Sequence, residues 1–335
     1  MLDEGQIAER NPRHAVVRIV AAICAALAFC LGVYMLLEST RPQSGLIGFA
    51  FLIILPATVC AFVAYVADPW RERRLRAYLL MPLWMLCVAM PFSIIFLREG
   101  TICVVILSPL WMLSGMAGTA ATYSIRHRIR DGRKYCMTLL ALPLIALQIE
   151  PMIPLPVQEY TVEREIIINA APAIIWPLLE GIPDVQADEG QWNISQDVIG
   201  VPRPLGARLI GAGVGGGRHA KWTLGINFRE TITEWNLGRR IGWKFVFDTT
   251  DNWQFTDRHL MPDSSYYRVT RGGYTLRPMA DGRTRLMIDT SYWVRTPING
   301  YSALWGELFL GDLEGNLLAL VKQRAEKAEK LRTVF

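Results

Sequence analysis

Beyond Pro156 the chain has no cysteine; all six, Cys24, Cys30, Cys60, Cys87, Cys103 and Cys136, fall in or beside apolar runs of the first half. No disulfide framework can therefore hold the second half together, and without a CxxC pair a zinc site has no foundation. Acidic residues and histidine are missing elsewhere. The stretches Ala15–Leu37, Gly45–Ala67, Ala77–Leu97 and Thr101–Tyr123 contain no Asp, Glu or His, and their only charge is Arg18. A proton or ion relay across a bilayer lacks its usual parts there. Also absent are a Walker lysine, a nucleophile elbow, paired metal ligands and a Ser-Lys dyad, so no cofactor is expected.

What the sequence does have is hydrophobicity: 52% of its 335 residues are hydrophobic and only 19% are charged. Each of the four stretches is close to the roughly 20 residues that cross a hydrocarbon core as helix. Arginines cluster before the first (Arg10, Arg13), between the second and third (Arg71, Arg73, Arg74, Arg76) and after the fourth (Arg126, Arg128, Arg130, Arg133, with Lys134). Only Arg41 and Arg98 occupy the alternate loops. The positive-inside rule then places the N-terminus in the cytoplasm. Pro56, Pro82, Pro91 and Pro109 interrupt these spans, as lipid-embedded helices tolerate. A fifth apolar run, Met137–Ile149, reaches bilayer length only if extended to Leu155. We expect residues 137–155 to span, with Arg126–Lys134 as the cytoplasmic flank. The rest of the chain would then face the periplasm of a bacterial inner-membrane protein; if the run only dips into the interface, that part is cytoplasmic.

From Tyr160 the periodicity changes. Tyr160–Asn169 alternates as a strand does, and Pro172 can start a short helix, Ala173–Leu179, that Gly181 stops. Strands are predicted at Asn193–Val201, Arg208–Gly213, His219–Phe228, Glu230–Trp235, Arg240–Asp248, Tyr266–Arg277 and Arg283–Thr296, with turns at Asn236-Leu-Gly238 and Asp281-Gly282. A long helix from about Tyr301 to Arg332 closes the chain, with Gly306, Gly311 and Gly315 inside it. Each glycine costs about 1 kcal/mol against alanine, which close packing on the sheet, room for a ligand or a break near Gly311 would explain. The apolar face of that helix can be buried only against the curved sheet. The expected organisation is therefore a transmembrane bundle over residues 1–156 and an α+β domain over residues 157–335.

The block Val162–Leu179, in which Ala171-Pro172 leads into Ile174-Ile175-Trp176, resembles the opening of the START-like (SRPBCC) superfamily of polyketide cyclase/dehydrase and lipid-transport proteins. Phe228 to Trp243 resembles that family's central hairpin, and Thr284 to Tyr292 its last strand. The resemblance covers about half of the chain and implies a helix-grip fold, a curved antiparallel sheet wrapped around a long C-terminal helix. It also implies a hydrophobic cavity for a lipid, isoprenoid or polyketide-like molecule. Independently of it, aromatic residues crowd this half, and Trp222, Trp243, Tyr274, Trp305 and Phe309 are the chosen ligand contacts.

Catalytic candidates are few. His219 and His259, with Asp257 and Arg258 beside the latter and Glu230 on a strand near the former, could form an acid/base pair. The stretch Gly211-Ala-Gly-Val-Gly-Gly-Gly217 contains a GxGxxG spacing, but a strand follows it, so it is expected to be a hairpin loop able to cover a cavity mouth. Glu307, Asp312 and Glu314 are taken as solvated. The net charge of +5 is accounted for by the arginine loops and does not argue for nucleic acid. The expected partners are a lipophilic small molecule, the bilayer and another membrane protein. Three functions are open: a membrane-tethered binding module, which we favour over catalysis, a cyclase- or dehydrase-type enzyme, or a membrane sensor or assembly protein.

Overall fold

The computed structural model describes residues 12–41, 45–97, 100–128, 133–249, 251–253 and 261–334. His259, with Asp257 and Arg258, lies outside the described residues, as do Arg10, Arg98 and Arg130 of the arginine loops. The chain divides into two compact units, one holding the apolar helices and one starting at Pro156.

The first unit is built from α1 (Pro12–Thr40), α2 (Leu55–Ala67, preceded by a π-helical turn at Ala50–Ile54), α3 (Leu75–Phe96), α4 (Thr101–Arg128) and α5 (Arg133–Ile149). Four segments, Val16–Thr40, Ala50–Ala67, Leu75–Phe96 and Thr101–Arg128, are long and apolar enough to cross a membrane. The helix of the fifth run stops at Ile149, where the residues Glu150–Met152 tighten into a 3-10 turn, so the helical rod does not reach Leu155. Prolines 82, 91, 109 and 143 sit inside continuous helices. Polar groups at helix ends are matched locally. Buried Asp68 accepts from the Tyr78 hydroxyl at 2.9 Å and from the backbone N–H groups of Glu72 and Arg73, while buried Arg126 donates to the carbonyls of Tyr65 and Pro69. In an apolar surrounding such groups could not stay unpaired.

The second unit begins with β1 (Gln158–Ile168) and α6 (Pro172–Glu180), which starts at proline and ends at Gly181. Then come β2 (Pro204–Ile210), β3 (Gly217–Trp222), β4 (Asn227–Asn236), β5 (Arg240–Val246), β6 (Tyr267–Pro278), β7 (Thr284–Val294) and α7 (Asn299–Val334). They form one seven-stranded sheet in the order β1-β7-β6-β5-β4-β3-β2, antiparallel at every pairing. Helix α7 packs over β1 and β7, and its Leu318 and Val321 join Ile232, Ile241, Leu276, Leu286 and Ile288 of the sheet and Ile175 and Leu179 of α6 in a common core. Such a sheet with a long terminal helix fits a helix-grip fold.

Two strand expectations are corrected. Asn193–Val201 is not a strand: Ser195–Ile199 is a π-helical turn, because the Asn193 side chain accepts from the Gln196 N–H at 2.8 Å and Asp197 accepts from the Asn193 N–H at 2.8 Å. These short local bonds outcompete a ladder. The expected strand His219–Phe228 is two strand segments separated by a turn at Thr223–Gly225, with Trp222 N–H bonded to the Ile226 carbonyl at 2.8 Å. The turn was hidden because Leu224, not a turn residue, takes the left-handed conformation at φ 60°.

Candidate functional site

The alternation of each strand decides which side chains face α7. On β4, Phe228, Glu230 and Ile232 are buried and the residues between them are not, and on β3 the same holds for Arg218 and Ala220 around exposed His219. The register sets Arg218 opposite Glu230. Next along the sheet, Trp243 of β5 lies opposite Ile232, and Tyr274 of β6 lies opposite Ile241 of β5 and Ile288 of β7. The face toward the helix thus brings together a cation, an acid, an indole and a phenol.

These side chains lie close together and are buried. Arg218 Nη1 stands 3.3 Å from Glu230 Oε2, and both residues are buried. The guanidinium carbon lies 4.9 Å from the Trp243 ring centre and 5.8 Å from that of Tyr274, and the two rings are 5.3 Å apart. Stacking on the two aromatic faces fixes the guanidinium plane and turns its edge toward Glu230. Burial pushes the Glu230 carboxyl above its ordinary range, with Arg218 pulling it back. Burial likewise pushes the Tyr274 phenol up to about 12, so it stays protonated.

From the helix side comes Glu314, which corrects the expectation of a solvated residue: it is 2% exposed. The Thr290 hydroxyl is its side-chain hydrogen-bond neighbour and, with the charge of Arg164, favours its ionised form. Burial outweighs them and pushes the carboxyl up to about 8. Of its two acidic neighbours, Glu307 is exposed as expected and pairs with Arg164 at 2.7 Å, whereas Asp312 is half-buried and accepts from the N–H and hydroxyl of buried Ser195.

The decisive feature is unmet bonding capacity. Arg218 Nε and Trp243 Nε1 are buried without a hydrogen-bond partner, Arg218 Nη1 and Glu230 Oε2 meet each other only as an ion pair at 3.3 Å, and buried Glu314 has little beyond the Thr290 hydroxyl to bond. Each such group ordinarily costs about 1–3 kcal/mol, so their concentration on one face calls for a bonding partner that the protein itself does not supply.

Of the residues expected to meet a ligand, Trp243 and Tyr274 are in this cluster. Trp222 is half-buried and packs on Phe228 beside Phe245, Phe247 and Trp253, an aromatic group adjoining Glu230 along β4. Trp305 and Phe309 stack on each other at 5.5 Å, half-buried. At 100° per residue they fall on the side of α7 opposite Ala303, Leu310 and Glu314, toward Asp312 and Asn316. His219 is exposed on the outer face of the sheet, so among the described acid/base candidates only Glu230 faces inward. Arg218 and Glu314 were missed. The signal for Arg218 was its place one residue before His219 on an alternating strand, and for Glu314 its helical phase with Leu318 and Val321.

The glycines of α7 do not break it. A side-chain carbon at Gly306 would collide with the Tyr292 hydroxyl, and one at Gly311 with the Arg164 guanidinium, so these positions let the helix approach β1 and β7. The glycine-rich loop after β2 is not free: Gly215 N–H bonds to the Ile232 carbonyl at 2.9 Å and Ile232 N–H to the Gly216 carbonyl at 2.9 Å, which carries the ladder of β4 onward. An open cleft of about 160 Å³ beside Gln186, Arg203, Thr223 and Asn316 is smaller than ligand sites usually are. Among the described residues, no three His, Cys, Asp or Glu side chains gather as metal ligands would.

Comparison with solved structures finds likenesses confined to about half of the chain. A point mutant of norcoclaurine synthase from Thalictrum flavum, in complex with a transition-state analogue, is 11% identical, with 52% of this chain and 98% of that one covered and a TM-score of 0.34. Protein NE0264 from Nitrosomonas europaea is 16% identical (53% and 97% covered, TM-score 0.29). The Aha1 dimer from Colwellia psychrerythraea is 16% identical (49% and 98% covered, TM-score 0.26). Identities and scores this low say nothing of what this chain binds. No protein-family model matches the chain, and no curated protein matches it.

Proposed function

We propose that the chain is a membrane-anchored START-like protein whose second unit binds a lipophilic molecule between sheet and helix α7, taking it from the bilayer or presenting it there. The observation that carries this reading is the set of buried and incompletely bonded polar side chains of Arg218, Glu230, Trp243 and Glu314 amid aromatic side chains. An apolar interior with a few convergent polar groups is what a small-molecule site requires. The anchor rests on the four helices of membrane length. In this reading the arginine loops face the cytoplasm, and residues 157–335 lie on the opposite side if residues 137–155 complete a fifth crossing.

Mass spectrometry of molecules retained by the full chain after mild detergent extraction tests the proposal. We expect one lipophilic species near stoichiometric amount, lost in Ala220→Trp, which fills the concave face beside Phe228. Extraction of a folded chain that carries only bulk detergent and bulk lipid, in the same proportions as the variant, refutes it.

A second reading, an enzyme of cyclase or dehydrase type, is favoured by one specific observation. Buried Glu314, its carboxyl pushed up to about 8, could give or take a proton near neutral pH. Its partner in proton transfer would be the substrate itself, since among the described residues no histidine faces it.

A further inference from the structure

We propose that the end of the sheet at which the chain enters the second unit is a lipid-docking surface, with Trp192, Ile194, Val198, Leu224, Leu304 and Trp305 seated in the bilayer interface; this rests on the membrane anchor of the reading above and not on the ligand. The strand register defines that end. Gln158, the first residue of β1, lies opposite Val294, the last of β7, which lies opposite Tyr267, the first of β6. Arg229 near the start of β4 faces Val246 at the end of β5, and Trp222 at the end of β3 faces Pro204 at the start of β2. The β3–β4 turn, the start of α7 and the entry of the chain therefore share one end of the sheet.

Two sets of hydrogen bonds make the apolar side chains of this end neighbours. Arg203 N–H donates to the Thr223 hydroxyl at 2.9 Å and Thr223 N–H to the Arg203 carbonyl at 2.8 Å, which fastens the segment after Ile199 to the β3–β4 turn. Ser195 bonds to Asp312, so the turn that carries Ile194 and Val198 reaches α7, where Trp305 falls within about 20° of Asp312 at about 100° per residue. The charge of Asp197 in this turn is already paired with Arg203 at 2.6 Å. Trp192, Val198, Leu224 and Leu304 are each more than half exposed. Leu224 takes a left-handed conformation, φ 60°, that crowds the Cβ of a non-glycine residue, and it displays a leucine at the tip of its turn. A contiguous apolar surface of this kind marks an interaction site.

The tether identifies the occupant as the bilayer. The Asn299 amide donates to the Pro156 carbonyl at 2.8 Å, which binds the first turn of α7 to the residue where the second unit begins. Between Pro156 and Ile149, the last helical residue of α5, lie only residues 150–155, a reach of at most about 25 Å when fully extended. Tryptophan settles at the level of lipid head groups, and Arg295, exposed just before the start of α7, offers their phosphates a cation. Leu237, equally exposed in the β4–β5 turn, lies at the opposite end of the sheet, a strand's length from Pro156.

The test places the photocrosslinker p-benzoylphenylalanine singly at Leu224, Val198, Leu237 or Trp84, the last an exposed residue of the membrane-length helix α3. The full chain is reconstituted in vesicles of phosphatidylethanolamine and phosphatidylglycerol, irradiated and weighed intact by mass spectrometry. We expect phospholipid adducts at Trp84, Val198 and Leu224, with yields at the last two several-fold above that at Leu237. Adducts at Trp84 without any at Val198 or Leu224, equal yields at Leu224 and Leu237, or crosslinks at Val198 and Leu224 to a second copy of the chain each overturn the docking surface and leave the anchor standing. Absence of adducts at Trp84 in the folded chain overturns the anchor and the docking surface together.

Discussion

At the scale of single residues, the second unit buries several groups that water would solvate better. Glu314 is the clearest case. Its carboxyl is held near a pKa of about 8 in the folded chain, against about 4.3 for a free glutamate, so the folded state keeps a proton that the unfolded state releases. Stability from this group is therefore greatest below about pH 4 and declines as the pH rises to about 8, by at most ~5 kcal/mol. Glu314→Gln should remove most of that decline, so thermal melts of the two chains in detergent should converge at pH 5 and separate at pH 8, with the variant higher. Equal melting curves at pH 8 would show that the carboxyl finds a partner. Gly306 makes a second case. Gly306→Ala gains about 1 kcal/mol in helix propensity but forces the Tyr292 hydroxyl aside, for which overpacking data suggest a cost of about 1–3 kcal/mol. We expect a net loss of melting temperature there, and none in Gly300→Ala, whose side chain would meet open space.

At the scale of elements, the segment from Pro183 to Arg203 depends on α7 rather than on its own periodicity. Asp312 holds Ser195, Asn316 accepts from Gln191 N–H at 2.8 Å and donates to Gln196 at 2.8 Å, and Gln323 exchanges two bonds of 2.9 Å with the backbone of Gly190. Arg324 clasps Glu189 through two bonds of 2.7 Å. Four side chains of one helix therefore fix a loop that has few ladder bonds of its own. In Asp312→Ala/Asn316→Ala, hydrogen exchange at residues 190–197 should quicken by tenfold or more while β6 and β7 keep their protection. Uniform quickening across the sheet would instead mean that the loop is part of the global fold.

At the scale of the whole molecule, the prediction concerns the bilayer. Four helices have the length and hydropathy to span, and the fifth, at 17 helical residues, extends about 25 Å against a hydrocarbon thickness of about 30 Å. We expect the chain to remain in the membrane pellet after alkaline carbonate washing. A cysteine introduced in the Asp281-Gly282 turn should react with an impermeant thiol reagent added outside intact cells, provided the fifth run crosses. Labelling only after lysis would put the second unit in the cytoplasm and make α5 an interfacial helix.

Hydropathy and alternation alone determined much: the four long apolar helices, the last three strands, the tight turns at Gly238 and Gly282, the start of α6 at Pro172 and a helical stretch toward the C-terminus are each local consequences of residue type, whereas the continuity of that helix past Gly311 was settled by its packing on Arg164 and Tyr292. Trp243 and Tyr274 were legible too, since large aromatics at strand centres have few places to go but inward. Other features required partners distant in sequence. Whether Glu314 is solvated depends on which side of α7 meets the sheet, and the pairing of Arg218 with Glu230 depends on a register set by a turn at Leu224 that no turn residue announces. Asn193–Val201 reads as a strand, and the local bonds of Asn193 and Asp197 that make it a turn are held in place by Asp312 and Asn316 of α7. Charge and hydrophobicity are properties of a residue, and so the sequence carries them; burial and the absence of a hydrogen-bond partner are relations between residues, and only the tertiary structure creates them.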